Sequence, residues 1–561
     1  MKTNRKKRAL GAVYTPELLA NWAATLLVRQ LQSARPLIVD PSCGDGALLG
    51  AVAAQNGSAR LVGVDIDRTA ISRAQAKLSS RVRLKKGDAL MPARAGFAEG
   101  WKHLLGGRLA DGIIANPPWG GAISHSPASL ARVGFKLAKG QFDSFDLFVE
   151  MALRITRKGR GGGICVFILP DSLFLPEHQA LRELLVGHTT ILTIARLGEG
   201  LFAGVYRGTT VLVLKNVAPK KHHEIVCLRL SKQWRTCISS GLRSFRDAEQ
   251  QLSHKVPQSR FLKDPHCRFD IDLRERERAP IVKLEANIDG WTDWLESGRG
   301  VELSKAGEIV FCSGCNRGFP MPREPRGRTC PKCNADLDPA TAKRGRIILP
   351  LKDKVPGWLP LIVGEDVDRF RARPSRCIKL GIEGINYKNE EMFRGSKILV
   401  RKTGVGLKAA IDETNSLTNQ VVFIYSLRAT LGAPDFLLLY FLGVLNSRVM
   451  LAYHLKKSGE NEWRSHPYVT QRTISELPIP NVKPGTQQWA QAQAIGAAVQ
   501  RVSRTYSIEA DLYLEGLVAG LFGLSDADCR WVGNVIDAAQ SLEAIRTLRL
   551  SANESFNPIT V

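Results

Sequence analysis

No stretch of this chain approaches the roughly 20 consecutive apolar residues that a membrane span needs. No apolar run of signal-peptide length follows the basic residues 1–8 either, so a cytoplasmic protein without a membrane partner is expected. The phosphate-cradling sequence G-x-x-x-x-G-K-[ST] is missing, which disfavours a nucleotide hydrolase. Internal repeats and long low-complexity tracts are missing as well. Of the 11 cysteines, seven (Cys43, Cys165, Cys227, Cys237, Cys267, Cys377, Cys529) are scattered without a disulfide framework. Negative charge is scarce: 53 Asp and Glu face 79 Lys and Arg, a formal charge of +26. That sign suits a chain that binds a polyanion, and nucleic acid leads the expected partners.

At 561 residues the chain is too long for one ordinary core, and two or three domains are expected. Over residues 37–215, short apolar runs (Leu37-Ile38-Val39, Leu61-Val62-Gly63-Val64, Gly112-Ile113-Ile114-Ala115, Ile164-Cys165-Val166-Phe167-Ile168, Thr210-Val211-Leu212-Val213-Leu214) alternate with amphipathic stretches at 69–78 and 144–155. This alternation predicts an α/β fold with a doubly wound, Rossmann-like sheet. The polar run Pro219-Lys220-Lys221-His222-His223 breaks the pattern and places a domain boundary near residue 220. Beyond it, short strands (397–401, 421–426) mix with helical segments (436–445, 487–501), as in an α+β domain over 221–485 followed by a helical segment over 486–561.

The first strand ends in Asp40-Pro41-Ser42-Cys43-Gly44-Asp45-Gly46, where two glycines allow a tight turn and close backbone approach to a ligand. Asp65 ends the next strand about 20 residues on, where a carboxylate accepts from the hydroxyls of a ribose. Asp88, after the strand-like Val82-Arg83-Leu84, is placed to accept from an adenine amino group. The nicotinamide fingerprint G-x-G-x-x-G is not matched at Gly44, and Asp40 suits a cationic methionine ammonium better than a pyrophosphate. S-adenosyl-L-methionine fits that charge.

The most specific motif is Asn116-Pro117-Pro118-Trp119, directly after an apolar run and before Gly120-Gly121. Two prolines have fixed φ and no N–H, so their carbonyls are rigid acceptors. Asn116 Oδ1 and the Pro117 carbonyl can accept both hydrogens of an exocyclic amine. The lone pair of such an amine is delocalised into its ring; two acceptors draw the nitrogen toward tetrahedral geometry for attack on a sulfonium methyl. Trp119 offers a flat face for an extruded base.

These motifs, in this order, resemble the gamma class of DNA amino-methyltransferases, the TaqI-type adenine enzymes. Tyr14-Thr15-Pro16 is similar to the class's N-terminal cofactor motif, and the resemblance implies that Thr15, Asp40, Gly44, Asp65 and Asp88 contact the cofactor. It implies Phe202 as the second aromatic around a flipped adenine, with Tyr206 competing for the role. Leu361-Ile362-Val363-Gly364-Glu365-Asp366-Val367, Lys397-Ile398-Leu399-Val400-Arg401-Lys402, Leu445-Asn446-Ser447 and Leu477-Pro478-Ile479-Pro480 resemble the class's target-recognition domain. Asn at the first motif position leans to N6 of adenine by the same analogy. N4 of cytosine, RNA, or a noncatalytic DNA-binding subunit are the alternatives. Methylation of a specific duplex sequence in a restriction-modification or phage-defence system is expected, with any endonuclease on a separate chain.

A departure from the simplest members is the insertion carrying Cys312-Ser313-Gly314-Cys315 and Cys330-Pro331-Lys332-Cys333. Two C-x-x-C pairs at this separation predict a four-thiolate Zn2+ ribbon at about 308–337 with a structural role.

Overall fold

The computed structural model describes residues 14–91, 97–121, 123–159, 161–202, 207–286, 291–322, 328–353, 355–404, 406–458, 469–539, 543–548, 550–551 and 554–561. The chain divides into two compact units, Met1–Glu275 with Lys457–Gly459, and Arg276–Lys456 with Glu460–Val561.

In the first unit, β1 (Leu37–Asp40), β2 (Arg60–Asp65), β3 (Val82–Lys86), β4 (Gly112–Ala115), β5 (Ile164–Pro170), β6 (Thr190–Gly198), β7 (Thr209–Lys215), β8 (Glu224–Arg229) and β9 (His254–Pro257) form one sheet in the order β3-β2-β1-β4-β5-β7-β6-β8-β9. The five strands from β3 to β5 are parallel, and β7 joins β5 antiparallel. Every residue of β1, β4 and β5 is buried, as expected of strands covered on both faces. Successive side chains divide between two cores. Cys165, Phe167 and Leu169 belong to one, while Ile164, Val166 and Ile168 belong to the other, the period of two that a strand imposes.

The boundary expected near residue 220 falls inside this sheet. Residues 219–223 are a turn, in which His223 N donates to Lys220 O at 3.0 Å, and β8 and β9 then extend the same sheet. A polar turn between two strands has the composition of a linker, and that resemblance misplaced the boundary.

Among its described residues the second unit contains two four-stranded sheets. One pairs Leu295–Arg299, Val422–Leu427, Lys397–Arg401 and Ala409–Asp412; the other pairs Ile348–Pro350, Arg376–Ile378, Leu359–Ile362 and Leu417–Thr418. Leu361, Ile362, Leu399, Val422 and Ile424 are among the residues of their shared core. The helices Gln487–Arg504, Ile508–Leu521 and Asp526–Ala538 belong to this unit and do not stand apart from it. Arg448 is the reason in part: its Nη1 donates to Asp511 Oδ2 at 2.8 Å and to Glu515 Oε1 at 3.1 Å, with all three side chains fully buried. Removing one partner of such a cluster leaves an uncompensated buried charge, a loss of about 3–5 kcal/mol. No single helix among the described residues is long and apolar enough to cross a membrane.

Candidate active site and metal centre

Asp40 ends β1, Asp65 ends β2 and Asp88 follows β3 by two residues, so neighbouring parallel strands line up three carboxylates along one edge. Asn116 follows β4 directly, on the other side of β1. Strand order reverses between β1 and β4, the place where an open α/β sheet forms its ligand crevice.

Asp40 is 1% exposed, and its Oδ1 accepts from Ser42 N at 3.0 Å. Burial holds its carboxyl well above the usual carboxylate range, and the nearby Asp65 adds to the effect. Asp65 braces the turn: Oδ2 accepts from Gly44 N and Oδ1 from Asp67 N, both at 2.8 Å. Burial raises its carboxyl too. Gly44 and Gly46 have φ of +54° and +83°, and a Cβ at Gly46 would lie 2.6 Å from Leu78 Cδ1. The turn therefore requires glycine at this point. Cys43 is buried, and its thiol is pushed up by that burial and then by Asp40 and Asp65, so it stays protonated. Asp88 accepts from Leu90 N at 2.9 Å through Oδ1 and from His125 Nε2 at 2.7 Å through Oδ2.

The Asn116–Trp119 tetrapeptide is held from several sides. Asn116 Nδ2 donates to Thr15 Oγ1 at 3.1 Å, which makes Oδ1 the acceptor end of the amide. Ser42 Oγ donates to the Asn116 carbonyl at 3.4 Å. Pro117 is buried, and the Pro118 carbonyl accepts from Ser144 Oγ at 2.6 Å. Just beyond, Gly120 N donates to Asp143 Oδ1 at 2.7 Å, closing the loop onto the start of the helix Ser144–Ile155. Trp119 Nε1 donates to the Ile168 carbonyl at 3.3 Å, and its ring meets Phe202 edge to face. Tyr206 lies outside the described residues.

Residues 1–256 match the N-6 DNA Methylase family, and residues 359–479 match the TaqI-like C-terminal specificity domain. The chain carries an N-6 DNA methylase domain. It is an adenine-specific DNA methyltransferase that depends on S-adenosylmethionine. Among solved structures, the methylase is similar to a Listeria monocytogenes protein assigned to the class I S-adenosylmethionine-dependent methyltransferases. Their identity is 24%, coverage 42% of this chain and 70% of that one, and the TM-score 0.33. It is similar also to a modification subunit assigned to a type I restriction enzyme of Vibrio vulnificus YJ016 (17% identity, 46% and 59% coverage, TM-score 0.35). A type I restriction-modification methyltransferase subunit of Streptococcus thermophilus matches similarly (15%, 45% and 57%, 0.36). The methylase thus spans less than two thirds of each of these two subunits.

The donor set of the methylase fits its cofactor. Asp40 is buried and Asp65 half-buried, desolvation raises the pKa of both carboxyls, and S-adenosylmethionine carries positive charge at its sulfonium and its ammonium.

In the specificity half, the Sγ atoms of Cys312, Cys315, Cys330 and Cys333 all lie within 4.8 Å of one another. Two of the separations, Cys312–Cys333 at 3.5 Å and Cys315–Cys330 at 3.6 Å, approach the roughly 3.8 Å that tetrahedral geometry gives for Zn–S bonds of about 2.3 Å. Each C-x-x-C pair is a turn of the same build. Asn316 N donates to Cys312 O and Asn334 N to Cys330 O, both at 2.9 Å, with positive φ at both asparagines. Backbone amides of Lys332 and Cys333 lower the Cys330 thiol to about 6. The ribbon sheet extends beyond the expected limit at 337, because Arg344–Arg346 pairs with Glu308–Phe311.

Sequence reasoning missed Ser42, Asp143 and Ser144 as braces of the tetrapeptide, and His125 beside Asp88. Asp143 and Asp146 did leave a signal. Asp143 precedes the helix and its N donates to Asp146 Oδ2 at 2.9 Å, half of a capping box readable in the sequence as D-x-x-D.

Proposed function

We propose that the protein methylates N6 of adenine within a specific duplex DNA sequence by extruding the base, as the modifying component of a restriction-modification system in the cytoplasm. The observation that carries this reading is Asn116, held by Thr15 beside a row of strand-end carboxylates.

In this reading Asp40 and the turn at Gly44 receive the charged methionine end of the cofactor. Asp65 accepts from the ribose and Asp88 from the adenine amino group. A carboxylate has about four acceptor directions, so the backbone contacts of Asp65 and Asp88 are compatible with these roles. The bound cofactor supplies an electrophilic sulfonium methyl. Asn116 Oδ1 and the Pro117 carbonyl accept the two hydrogens of the target amine and stabilise the positive charge that develops on nitrogen. Pro118, through Ser144, keeps the loop rigid. Trp119 and Phe202 flank the extruded base, whose removal from the stack costs a few kcal/mol. The specificity domain reads the sequence through groove contacts, with Arg401 and Lys402 among its cations. Cys312, Cys315, Cys330 and Cys333 would hold a structural Zn2+.

The test is methylation of duplex DNA by the purified protein with S-adenosylmethionine, followed by single-molecule sequencing. N6-methyladenine in one sequence context is expected. N4-methylcytosine, or methylation of RNA alone, would overturn the assignment.

A further inference from the structure

His125 has no part in the chemistry described so far, yet its Nε2 donates to Asp88 Oδ2 at 2.7 Å. The contact is local to neither residue, since 37 positions separate them. Both side chains are about three quarters buried, so the bond forms at the margin of the crevice and not on open surface. Each partner is separately anchored. Asp88 Oδ1 accepts from Leu90 N at 2.9 Å, which fixes the other side of the carboxylate. His125 immediately precedes Ser126, whose Oγ accepts from Ser129 N to cap the short helix Pro127–Arg132, and Leu130 of that helix is fully buried. The imidazole therefore reaches Asp88 from a tethered segment. That segment continues from the Asn116–Trp119 loop.

A carboxylate that must accept from a planar amino group is useful only if its own plane is set correctly. Leu90 N alone leaves the second oxygen without orientation. An imidazole N–H on that oxygen supplies it, as outer-shell partners orient ligating side chains elsewhere.

We propose that His125 is a positioning residue for cofactor recognition: it holds Asp88 so that the carboxylate accepts the exocyclic amine of the cofactor's adenine and rejects a C6 carbonyl. The inference rests on Asp88 as the acceptor of that amine. It assigns to the segment after the catalytic loop a share in selecting an adenosyl over an inosyl group. An inosyl ligand would aim a carbonyl oxygen at a carboxylate oxygen, where neither has a proton to give.

The experiment compares binding of S-adenosyl-L-homocysteine and S-inosyl-L-homocysteine by calorimetry, in the full-length protein and in His125→Ala, His125→Gln and Asp88→Asn. His125→Ala is expected to weaken the adenosyl ligand on the order of tenfold, the scale of one hydrogen bond to a charged group. It should leave the inosyl ligand nearly unchanged, so the preference between the two collapses. His125→Gln, which retains an N–H donor, should restore part of that preference. In turnover, His125→Ala should raise KM for S-adenosylmethionine more than it lowers kcat. Equal weakening of both ligands, or none, would refute the role of His125. If Asp88→Asn discriminates the two ligands as the unaltered protein does, the reading of Asp88 itself fails and this inference with it.

Discussion

The indole of Trp119 meets the edge of the Phe202 ring, with centroids 5.4 Å apart and planes at 77°. Both rings are buried, at 6% and 3% exposure, and they share a core with Ile168 and Leu197. A base held between two rings needs them parallel and about 7 Å apart, twice the contact distance between carbon atoms. If these rings flank the base as proposed, in this state they fill the place it would take. On the reading proposed above, entry of the base requires one ring to withdraw, and Trp119 is anchored through Nε1 on β5.

Phe202→Leu is accordingly expected to lower turnover about 5- to 150-fold, the range that corresponds to loss of one base–aromatic stack. Leu fills most of the buried volume, whereas Phe202→Ala adds a cavity cost of about 3–5 kcal/mol and confounds the reading. Fluorescence of 2-aminopurine at the target position should show reduced base extrusion in the Leu variant, with S-adenosylmethionine affinity unchanged. Normal extrusion and turnover would remove Phe202 from the site.

Asn116→Ala is expected to lower methyl transfer by at least 10²- to 10³-fold, as loss of a preorganised polar partner of the transition state does. Binding of DNA and of cofactor should persist. Thr15→Val, which removes the acceptor for Asn116 Nδ2 at 3.1 Å but keeps the shape, should lower kcat less severely. Single-turnover kinetics separates the two effects from product release. A Thr15→Val enzyme with an unchanged chemical step would show that Asn116 needs no such support.

The catalytic sheet was legible because its signals are local. Buried strands such as β4 and β5 read as unbroken apolar runs, and the helix Ser144–Ile155 was expected at 144–155 from its periodicity. The strand-end order of Asp40, Asp65, Asp88 and Asn116 was equally visible, since the βα units place each acid at a chain-determined position. What could not be read is contact across distance. The Thr15–Asn116 bond spans 101 positions and the His125–Asp88 bond 37, and no residue pattern announces either. Short edge strands fared no better. Arg344–Arg346 offers three residues without apolar alternation, so its place beside Glu308–Phe311 depends on tertiary pairing alone.

If Asp40 receives the cofactor as proposed, it ties cofactor affinity to stability. Its carboxyl is raised by burial, so the folded state retains the proton to higher pH than the unfolded chain. The stability linked to that proton is fully present below the ordinary carboxylate pKa and is lost as pH rises through the raised value. Asp40→Asn removes the penalty of a buried ionised group while keeping an acceptor for Ser42 N. The cofactor-free variant should melt higher at neutral pH, by about 2–4 °C for each kcal/mol in a domain of this size, and the gain should vanish in acid. The same change should weaken S-adenosylmethionine binding. Differential scanning calorimetry between pH 4 and 8, with and without cofactor, reads both. A variant that melts lower at neutral pH and binds cofactor normally would contradict this account.

The ribbon in the specificity half tests a different dependence. Its apolar core is small, with Val310 and Leu337 packed around the buried Cys312 and Cys330. Four residues of this kind cannot offset the ordering entropy of a segment running from Glu308 to Arg346, at about 1–2 kcal/mol of backbone entropy per residue. On the proposed reading metal ligation supplies the difference, because free energy of binding to a site absent from the unfolded chain is free energy of folding. One Zn2+ per chain is expected by metal analysis of the purified protein. Its removal by a chelator should expose the segment to limited proteolysis between residues 308 and 346 while the sheet of the first unit stays protected. Cys330→Ser should reproduce that cleavage without a chelator and weaken DNA binding, yet leave S-adenosylmethionine affinity intact. A metal-free protein whose ribbon resists protease would show that the four cysteines hold the segment together without an ion.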